Sequence, residues 1–562
     1  MAPPLTAPRK IAPLLRKAAG RLHPRLKAML DPSPWPSLVA EGQALLEGIP
    51  ADGPPVLCAT SVGGQPHVRV VDSLVAAGLR LRGAQPHRLL CDQALAACEL
   101  AVYGQYARPQ DFVVHGPTRR YCGTCFAAGA DYLHGFPAPL HTYRQFVSPA
   151  EIAQASRQSS AQSVADCFSY EWQGIPLGES VRSGVLRFFG NSALDREDPE
   201  VLLAAARRYL AGAIVAAHVG QRALEAVRPA ALVTHHGVYV PQGVLGAVAR
   251  RMGVRVVTWM PAYRNTTLVF SHGDTYHRTF PNEDRAHWET MSWDAAREAQ
   301  LDQYLQSRRR GEGDWTWMTP VGSAREDDRR RIAEALGLDP ARPTAGLLTN
   351  IGWDADIFHA GRAYGDMFEW LLATIDFFAA RPDWQLVIRV HPHEVKDGNR
   401  QRAADEIRRL RPELPPNVKL VPHDSGLSTY ALMDSCNLIL AWGTKTAIEL
   451  APGGVPVVVT ADAWTRNKDI SLDVSSPAEY LALLERLPEL GRSTPERIER
   501  ARRYAYHFFF RRMIPLQAMD PEAAWPPRLR VQRLDELLPG RDPGLDVICE
   551  GILTGKEFIY SP

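Results

Sequence analysis

Short apolar runs alternate with helix-length amphipathic stretches along most of this 562-residue chain, and the alternation falls into two blocks. In the first block, Pro55–Ser61 is an apolar run closed by Gly63 and Gly64. Val70–Ala77 has helical spacing, and Arg88–Cys91 is a second run. The same order returns in Ala230–Thr234, Gln242–Arg251 and Val254–Trp259. Between these pairs, residues 150–227 are Ala-rich and helical in pattern, as expected of helices inserted into or packed on that domain. The second block has runs at Thr344–Thr349, Leu386–Val390, Val418–Val421, Asn437–Ala441 and Val455–Thr460. Helical stretches at Met367–Ala380, Gln401–Leu410, Thr429–Ser435 and Lys445–Leu450 separate them. Strands whose crossover helices cover both sheet faces must be apolar on both sides, so the pattern predicts parallel sheets. The expected organisation is α/β: a basic arm over 1–36, an α/β domain with helical insertion over 37–310, and a linker over 311–343. A second Rossmann-like, doubly wound domain over 344–490 and C-terminal helices with a tail over 491–562 complete it.

Charge changes this picture only at the start of the chain. Lys and Arg number 64 against 62 Asp and Glu, so the molecule lacks the basic excess of a nucleic-acid binder. Residues 1–30, however, carry Arg9, Lys10, Arg16, Lys17, Arg21, Arg25 and Lys27 and no acid before Asp31, interleaved with leucines. This arm is either an amphipathic helix for an anionic membrane surface or a solvated extension. Charges interrupt the early apolar residues, so no signal peptide is expected. The uncharged stretch near Tyr209–Gln221 is shorter than the roughly 20 residues a bilayer span requires. The expected location is cytoplasmic, with peripheral attachment at the inner face of the membrane as an option. There the eight cysteines are expected to be thiols or metal ligands, not disulfides.

In open α/β sheets ligands bind beyond the carboxyl ends of the strands, which directs attention to four segments. They are Thr349-Asn350-Ile351-Gly352-Trp353-Asp354, Arg389-Val390-His391-Pro392-His393-Glu394, His423-Asp424-Ser425-Gly426 and Trp442-Gly443-Thr444-Lys445-Thr446. Gly443 and Thr444 form a turn into a helix whose amides and dipole suit a diphosphate. Lys445 would add positive charge, Glu449 would accept from ribose hydroxyls, and Gly453-Gly454 would close the helix. Arg389 and His391 lie on alternate residues of one strand, hence on one side, and both can donate to phosphate oxygens.

The segments that carry these residues resemble a known family. LLTNIGWDADIFHAGRAYGDMFEWLLATIDFF, QLVIRVHPHE, LPPNVKLVPHDSGLSTYALMDSCNLILAWGTKTAIELAPGGVPVVV and NKDISLDVSSPAEYLALL are similar to the bacterial capsule polysaccharide biosynthesis proteins. That set is related to GT-B glycosyltransferases, the capsular Kdo transferases included, and the likeness spans most of residues 344–485. It implies two Rossmann-like domains facing a cleft (GT-B) and a nucleotide-sugar donor. The implied acceptor is a surface polysaccharide or lipid-linked glycan. By it, Arg389, His391, Ser428, Thr429, Thr444, Thr446 and Glu449 would form the donor site. The sequence departs from the family at Lys445 and at Asn467-Lys468-Asp469, where a smaller residue and a Gly-bearing turn are expected.

The N-terminal half matches more loosely, through THHGVYVPQG and SHGDTYH. His235, His236, Tyr239, His272, Asp274 and His277 would face the acceptor, with His235 or Asp274 as the base that takes its hydroxyl proton. No catalytic metal is expected, although Asp354-Ala355-Asp356 has the spacing of a metal-binding pair. Cys91-x6-Cys98 and Cys122-x2-Cys125 could hold a structural zinc ion or an iron-sulfur cluster, or be buried free thiols. Two competing functions share this frame: a sugar-nucleotide epimerase or hydrolase, and a non-catalytic subunit of a capsule-assembly complex.

Overall fold

The computed structural model describes residues 34–562, except residues 107, 118, 313, 316–327, 355–361, 396–398 and 524–525 and the side chains of Arg119 and Arg120. Residues 1–33 of the basic arm, much of the expected linker and the second acid of Asp354-Ala355-Asp356 lie outside the described residues.

The first block of apolar runs forms β1 (Pro55–Ser61), β2 (Gln85–Leu90) and β3 (Leu140–Thr142). A small hairpin follows, β4 (Glu171–Trp172) with β5 (Ile175–Pro176), then β6 (Ala231–His235), β7 (Arg255–Pro261) and β8 (Thr267–His272). The second block forms β9 (Thr344–Leu348), β10 (Gln385–Arg389), β11 (Val418–Val421), β12 (Leu438–Ala441), β13 (Val457–Val459) and β14 (Leu472–Asp473), and β15 (Ile514–Pro515) comes last. The predicted strands are each present, displaced at their ends by up to three residues. β6 and β9 are buried along their whole length, as the two-faced apolar pattern requires.

In the second sheet the order is β11-β10-β9-β12-β13-β14, all parallel. Counted from its own first strand this is 3-2-1-4-5-6, the doubly wound order. The first sheet runs β15-β8-β7-β6-β1-β2-β3. Its parallel part, β3-β2-β1-β6-β7, reverses in the same way between β1 and β6. Each sheet thus has one point where successive crossovers leave in opposite directions, and at that point the flanking loops part to leave a crevice.

The inserted helices cover one face of the first sheet. Helix Pro199–Val227 starts on Asp198, whose carboxylate accepts from the amides of Glu200 and Val201, and ends at Arg228 in a left-handed conformation. It is long and apolar enough to cross a membrane by length and composition. In the fold it is a core helix, with Tyr209, Leu210, Ile214 and Val219 fully buried.

Residues 491–562 do not trail away from the second domain. Helix Pro495–Tyr506 packs on that domain, and the chain then crosses back. There β15 pairs antiparallel with β8, Ile514 opposite Leu268. Helix Pro543–Thr554 closes the far face of the first sheet, its Leu545, Ile548 and Cys549 sharing one core with Val71, Leu74 and Val75. That docking depends on a close approach: a Cβ on Gly544 would lie 1.7 Å from the Pro515 carbonyl oxygen. Gly544→Ala should therefore destabilise the chain by about 3 kcal/mol, as overpacking against rigid backbone does. Gly491→Ala, where a Cβ meets nothing within 4 Å, should change stability by less than about 0.5 kcal/mol. Chemical-denaturant midpoints of the two variants decide it, and equal midpoints would contradict the docking.

Candidate active site

The loops at the two strand-order reversals touch. Tyr239, in the loop after β6, donates its hydroxyl to Asp354 Oδ1, in the loop after β9, at 3.4 Å. Trp464, after β13, stacks on Tyr276 of the first domain with ring centres 5.4 Å apart. The crevices of the two sheets therefore open into one cleft. One flank is closed by Ser192, which meets Gln401 Oε1 through its hydroxyl at 2.6 Å, and by Arg400, which pairs with Glu197 at 2.9 Å.

On the C-terminal side the crevice lies between β9 and β12. Asn350 Nδ2 donates to the Gly443 carbonyl at 2.7 Å and so ties the two loops together. His391 follows β10 and is held by its own amide, which donates to Thr349 Oγ1 at 3.0 Å. Its Nδ1 accepts from the His393 amide at 3.2 Å. Burial, with His393, Arg389 and Lys445 nearby, pushes the imidazole down to about 3, so it is neutral at ordinary pH. A neutral ring that accepts at Nδ1 carries its proton on Nε2, which makes His391 a single directed donor.

Arg389 is buried at 1% exposure, and its guanidinium donates to Thr429 Oγ1 and the Pro422 carbonyl. It braces the helix Thr429–Asp434, whose first turn Ser428 caps by accepting from the Ala431 amide. Arg389, Ser428 and Thr429 thus build the wall of the crevice. Thr444 Oγ1 accepts from the Thr446 amide at 3.3 Å, and both threonines keep partial exposure at the crevice.

Two sequence expectations change here. The helix after Gly443-Thr444 spans only Thr446–Leu450, and the Thr446 and Ala447 amides already bond to Thr444. The dipole and free amides expected of a phosphate-binding helix start are correspondingly small. Lys445 and Glu449 are also committed elsewhere. The Lys445 ammonium lies 2.8 Å from Glu449 Oε1 and 3.2 Å from Asp314 Oδ2. Glu449 further accepts from Arg308 and Tyr430, with its side chain 1% exposed, so no free edge is offered to a ribose. Neighbours in the fold, invisible as spacing, decide both cases.

On the N-terminal side the crevice lies between β1 and β6. His235 ends β6, His236 follows it at φ +60°, and His67 begins the helix Pro66–Arg80 after β1. The His67 and His235 rings are 5.0 Å apart, and those of His236 and His277 6.1 Å. His235 Nδ1 and His236 Nδ1 are buried with no hydrogen-bond partner among the described residues. Burial, with the neighbouring histidines and Arg187, lowers His235 well below the ordinary range, and burial with Arg187 lowers His236 to about 3. Arg187 sits 4.9 Å over the Tyr239 ring and donates to the Glu99 carbonyl at 3.2 Å. His67 and Arg187 were not singled out from sequence. A lone His and a lone Arg in a helical stretch carry no pattern until the helices are placed.

Asp274 is not placed as a base. β8 runs antiparallel, with His272 opposite Val257, so the chain leaves it beside the amino-terminal half of β7 before Tyr276 and His277 return to the cleft. The Asp274 carboxylate pairs with Arg278 at 3.3 Å and Arg250 at 3.6 Å. His272 stacks on Phe558 with ring centres 4.3 Å apart, a packing role.

The four cysteines Cys91, Cys98, Cys122 and Cys125 do converge, around a small apolar pocket beyond the ends of β1 and β2. No group of three or more His, Cys, Asp or Glu among the described residues is arranged to hold a metal ion. The expected zinc or iron-sulfur ligation has no such arrangement among the described residues; the lining is apolar, and burial pushes the thiols up, Cys91 to about 11 and Cys125 to about 12.

The neutral histidines have a consequence for pH. His67, His235, His236 and His391 all lie below the ordinary value of 6.5 in the fold, three of them near 3. Above 6.5 both folded and unfolded chains hold them neutral and they contribute nothing. Between 6.5 and about 3 only the unfolded chain takes up the protons, so stability falls as pH falls. Each fully shifted group adds up to about 1.4 kcal/mol per pH unit. The unfolding midpoint should drop between about pH 7.5 and 5.5, and His235→Gln with His391→Gln should flatten that slope. An unchanged slope in the double variant would contradict burial of the neutral rings.

No protein-family model matches the chain, and no curated protein matches it. Among solved structures it is similar to the beta Kdo 2,4 transferase KpsC of Thermosulfurimonas dismutans, at 13% identity and a TM-score of 0.30, over 49% of this chain and 79% of that one. It is also similar to sucrose-phosphate synthase (tll1590) of Thermosynechococcus elongatus, at 14% identity and a TM-score of 0.32, over 81% of this chain and 95% of that one. UDP-GlcNAc 2-epimerase of Neisseria meningitidis, bound to UDP-GlcNAc, is a third, at 12% identity and a TM-score of 0.24, over 80% and 94%. The two-domain α/β architecture stands on the strand order and register of the two sheets.

Proposed function

We propose that the chain is a glycosyltransferase that binds a nucleotide-sugar donor in the C-terminal crevice and an acceptor hydroxyl on the N-terminal face. The observation that carries this reading is the meeting of two doubly wound crevices at Tyr239 and Asp354, with unlike chemistry on the two sides. The C-terminal side offers donors: the His391 Nε2–H and the Thr444 and Thr446 hydroxyls, in a wall braced by Arg389. The N-terminal side offers acceptors, the partnerless buried Nδ1 atoms of His235 and His236.

In this reading the acceptor hydroxyl attacks the anomeric carbon and passes its proton to His235, and the bond from that carbon to the phosphate oxygen breaks. The leaving diphosphate or monophosphate departs with its bonding electron pair and meets the donors on the other wall. No catalytic metal is required. The resemblance of residues 344–485 to capsule polysaccharide biosynthesis proteins suggests a surface polysaccharide or glycolipid acceptor at the inner face of the membrane.

A screen of nucleoside di- and monophosphate sugars by thermal unfolding tests the donor site. A ligand at 100 times its Kd should stabilise the fold by about 2.7 kcal/mol. His391→Ala should lower kcat/KM with that donor about 100-fold, as loss of one directed donor does. Failure of every nucleotide sugar to shift the midpoint would remove the reading. Donor turnover without acceptor would move the assignment to an epimerase or hydrolase.

A further inference from the structure

At the flank of the cleft opposite Ser192 and Gln401, four charges from three segments meet out of solvent. Lys445 and Glu449 belong to the loop and helix after β12. Arg308 lies in the last turn of the helix Ala295–Arg309, and Asp314 lies just beyond it. Arg308 reaches Asp314 Oδ2 at 3.1 Å and Glu449 Oε1 at 3.2 Å, and Lys445 reaches the same two oxygens at 3.2 and 2.8 Å. Side-chain exposure is 8% for Arg308, 1% for Asp314, 1% for Glu449 and 10% for Lys445. Tyr304 donates to the other Asp314 oxygen at 3.0 Å and Tyr430 to the other Glu449 oxygen at 2.9 Å. Two cations balance two anions, and both carboxylates are engaged at both oxygens.

Asp314 is built into the first domain. It forms an antiparallel bridge with Arg264 of the β7–β8 turn, and the next amide, of Trp315, donates to the Tyr263 carbonyl at 3.2 Å. The Trp315 ring is buried in the core that also holds Leu268 and Ile514. Lys445 therefore joins the second domain's crevice loop to the first domain's sheet. Its three N–H directions are taken by Asp314, by Glu449 and by the Tyr263 ring face, 4.6 Å from the ammonium.

We infer that Lys445 is a positioning residue, the centre of a charge-neutral latch that fixes the β12 loop of the crevice to the N-terminal domain, and not a phosphate ligand. The latch rests on contacts alone; only its consequence for donor affinity rests on the glycosyltransferase reading. Removing one charge leaves an uncompensated buried partner, which threatens the fold itself. Removing Lys445 and Asp314 together keeps the Arg308–Glu449 pair balanced, so Lys445→Met/Asp314→Asn isolates the connection.

The full chain is compared with Lys445→Met, the balanced double variant and Lys445→Arg. Amide hydrogen exchange is followed in residues 255–272, 304–312 and 446–450, with solution X-ray scattering and titration with uridine diphosphate and cytidine monophosphate. The double variant should stay folded by circular dichroism, exchange at least tenfold faster on both sides of the latch and scatter with a larger radius. It should bind whichever nucleotide the wild type binds at least tenfold more weakly, and Lys445→Arg should recover most of each effect. Wild-type exchange in the double variant would overturn the latch. So would loss of nucleotide binding in Lys445→Met with wild-type exchange, which marks a phosphate ligand. If the wild type binds neither nucleotide, the donor assignment falls for these two nucleotides, and exchange with scattering still decides the latch.

Discussion

The reversal of strand order inside each parallel sheet is the constraint from which the rest of the molecule follows. Crossovers between parallel strands are right-handed, so helices that run outward from the first strand in both directions must cover opposite faces. At the reversal no crossover bridges the two neighbouring strand ends, and a crevice is left. This chain makes that construction twice, between β1 and β6 and between β9 and β12. It then sets the two crevices edge to edge through Tyr239 and Asp354. His235, His236, Thr444 and Thr446 sit within a few positions of those strand ends, and His391 follows the neighbouring β10.

Electrostatics divides the cleft by use. Buried cations that have carboxylate partners, Lys445 and Arg308, are structural and hold the domains in place. Arg389, with its hydroxyl and carbonyl partners, stiffens a wall. The imidazoles beside the cleft are neutral, held below their ordinary range by burial, and the Thr444 and Thr446 hydroxyls keep partial exposure. Neutral directed donors on one side and unsatisfied ring nitrogens on the other suit a site that meets charge only when a ligand brings it. The same low-dielectric surroundings push the four thiols up around their apolar pocket.

Much of the fold was legible before any coordinates, because parallel strands buried on both faces must be continuous apolar runs and the helices between them must be amphipathic. Pro55–Ser61, Ala231–His235, Thr344–Leu348 and Leu438–Ala441 could be read from that rule, and so could the loops worth inspecting after them. The return of residues 514–562 to the first sheet could not be read. Its strand is two residues long, and its pairing with β8 bridges a sequence separation that no local period records. Asp274 differs from its expected role for a related reason: its carboxylate is engaged by Arg278 and Arg250, partners that no local spacing around Asp274 reveals.

By itself, then, the sequence determined which segments become strands and helices and which loops can bear chemistry, since burial periodicity and turn residues act over a few positions. Only the tertiary structure decided what each polar side chain does. Whether Lys445 meets a phosphate or a carboxylate, whether Glu449 is open or saturated, and whether four thiols can share an ion depend on which distant segment is packed against them. Those partners lie more than a hundred residues away in the case of Lys445 and Asp314, and the cost of burying a charge without one is what fixes the pairing.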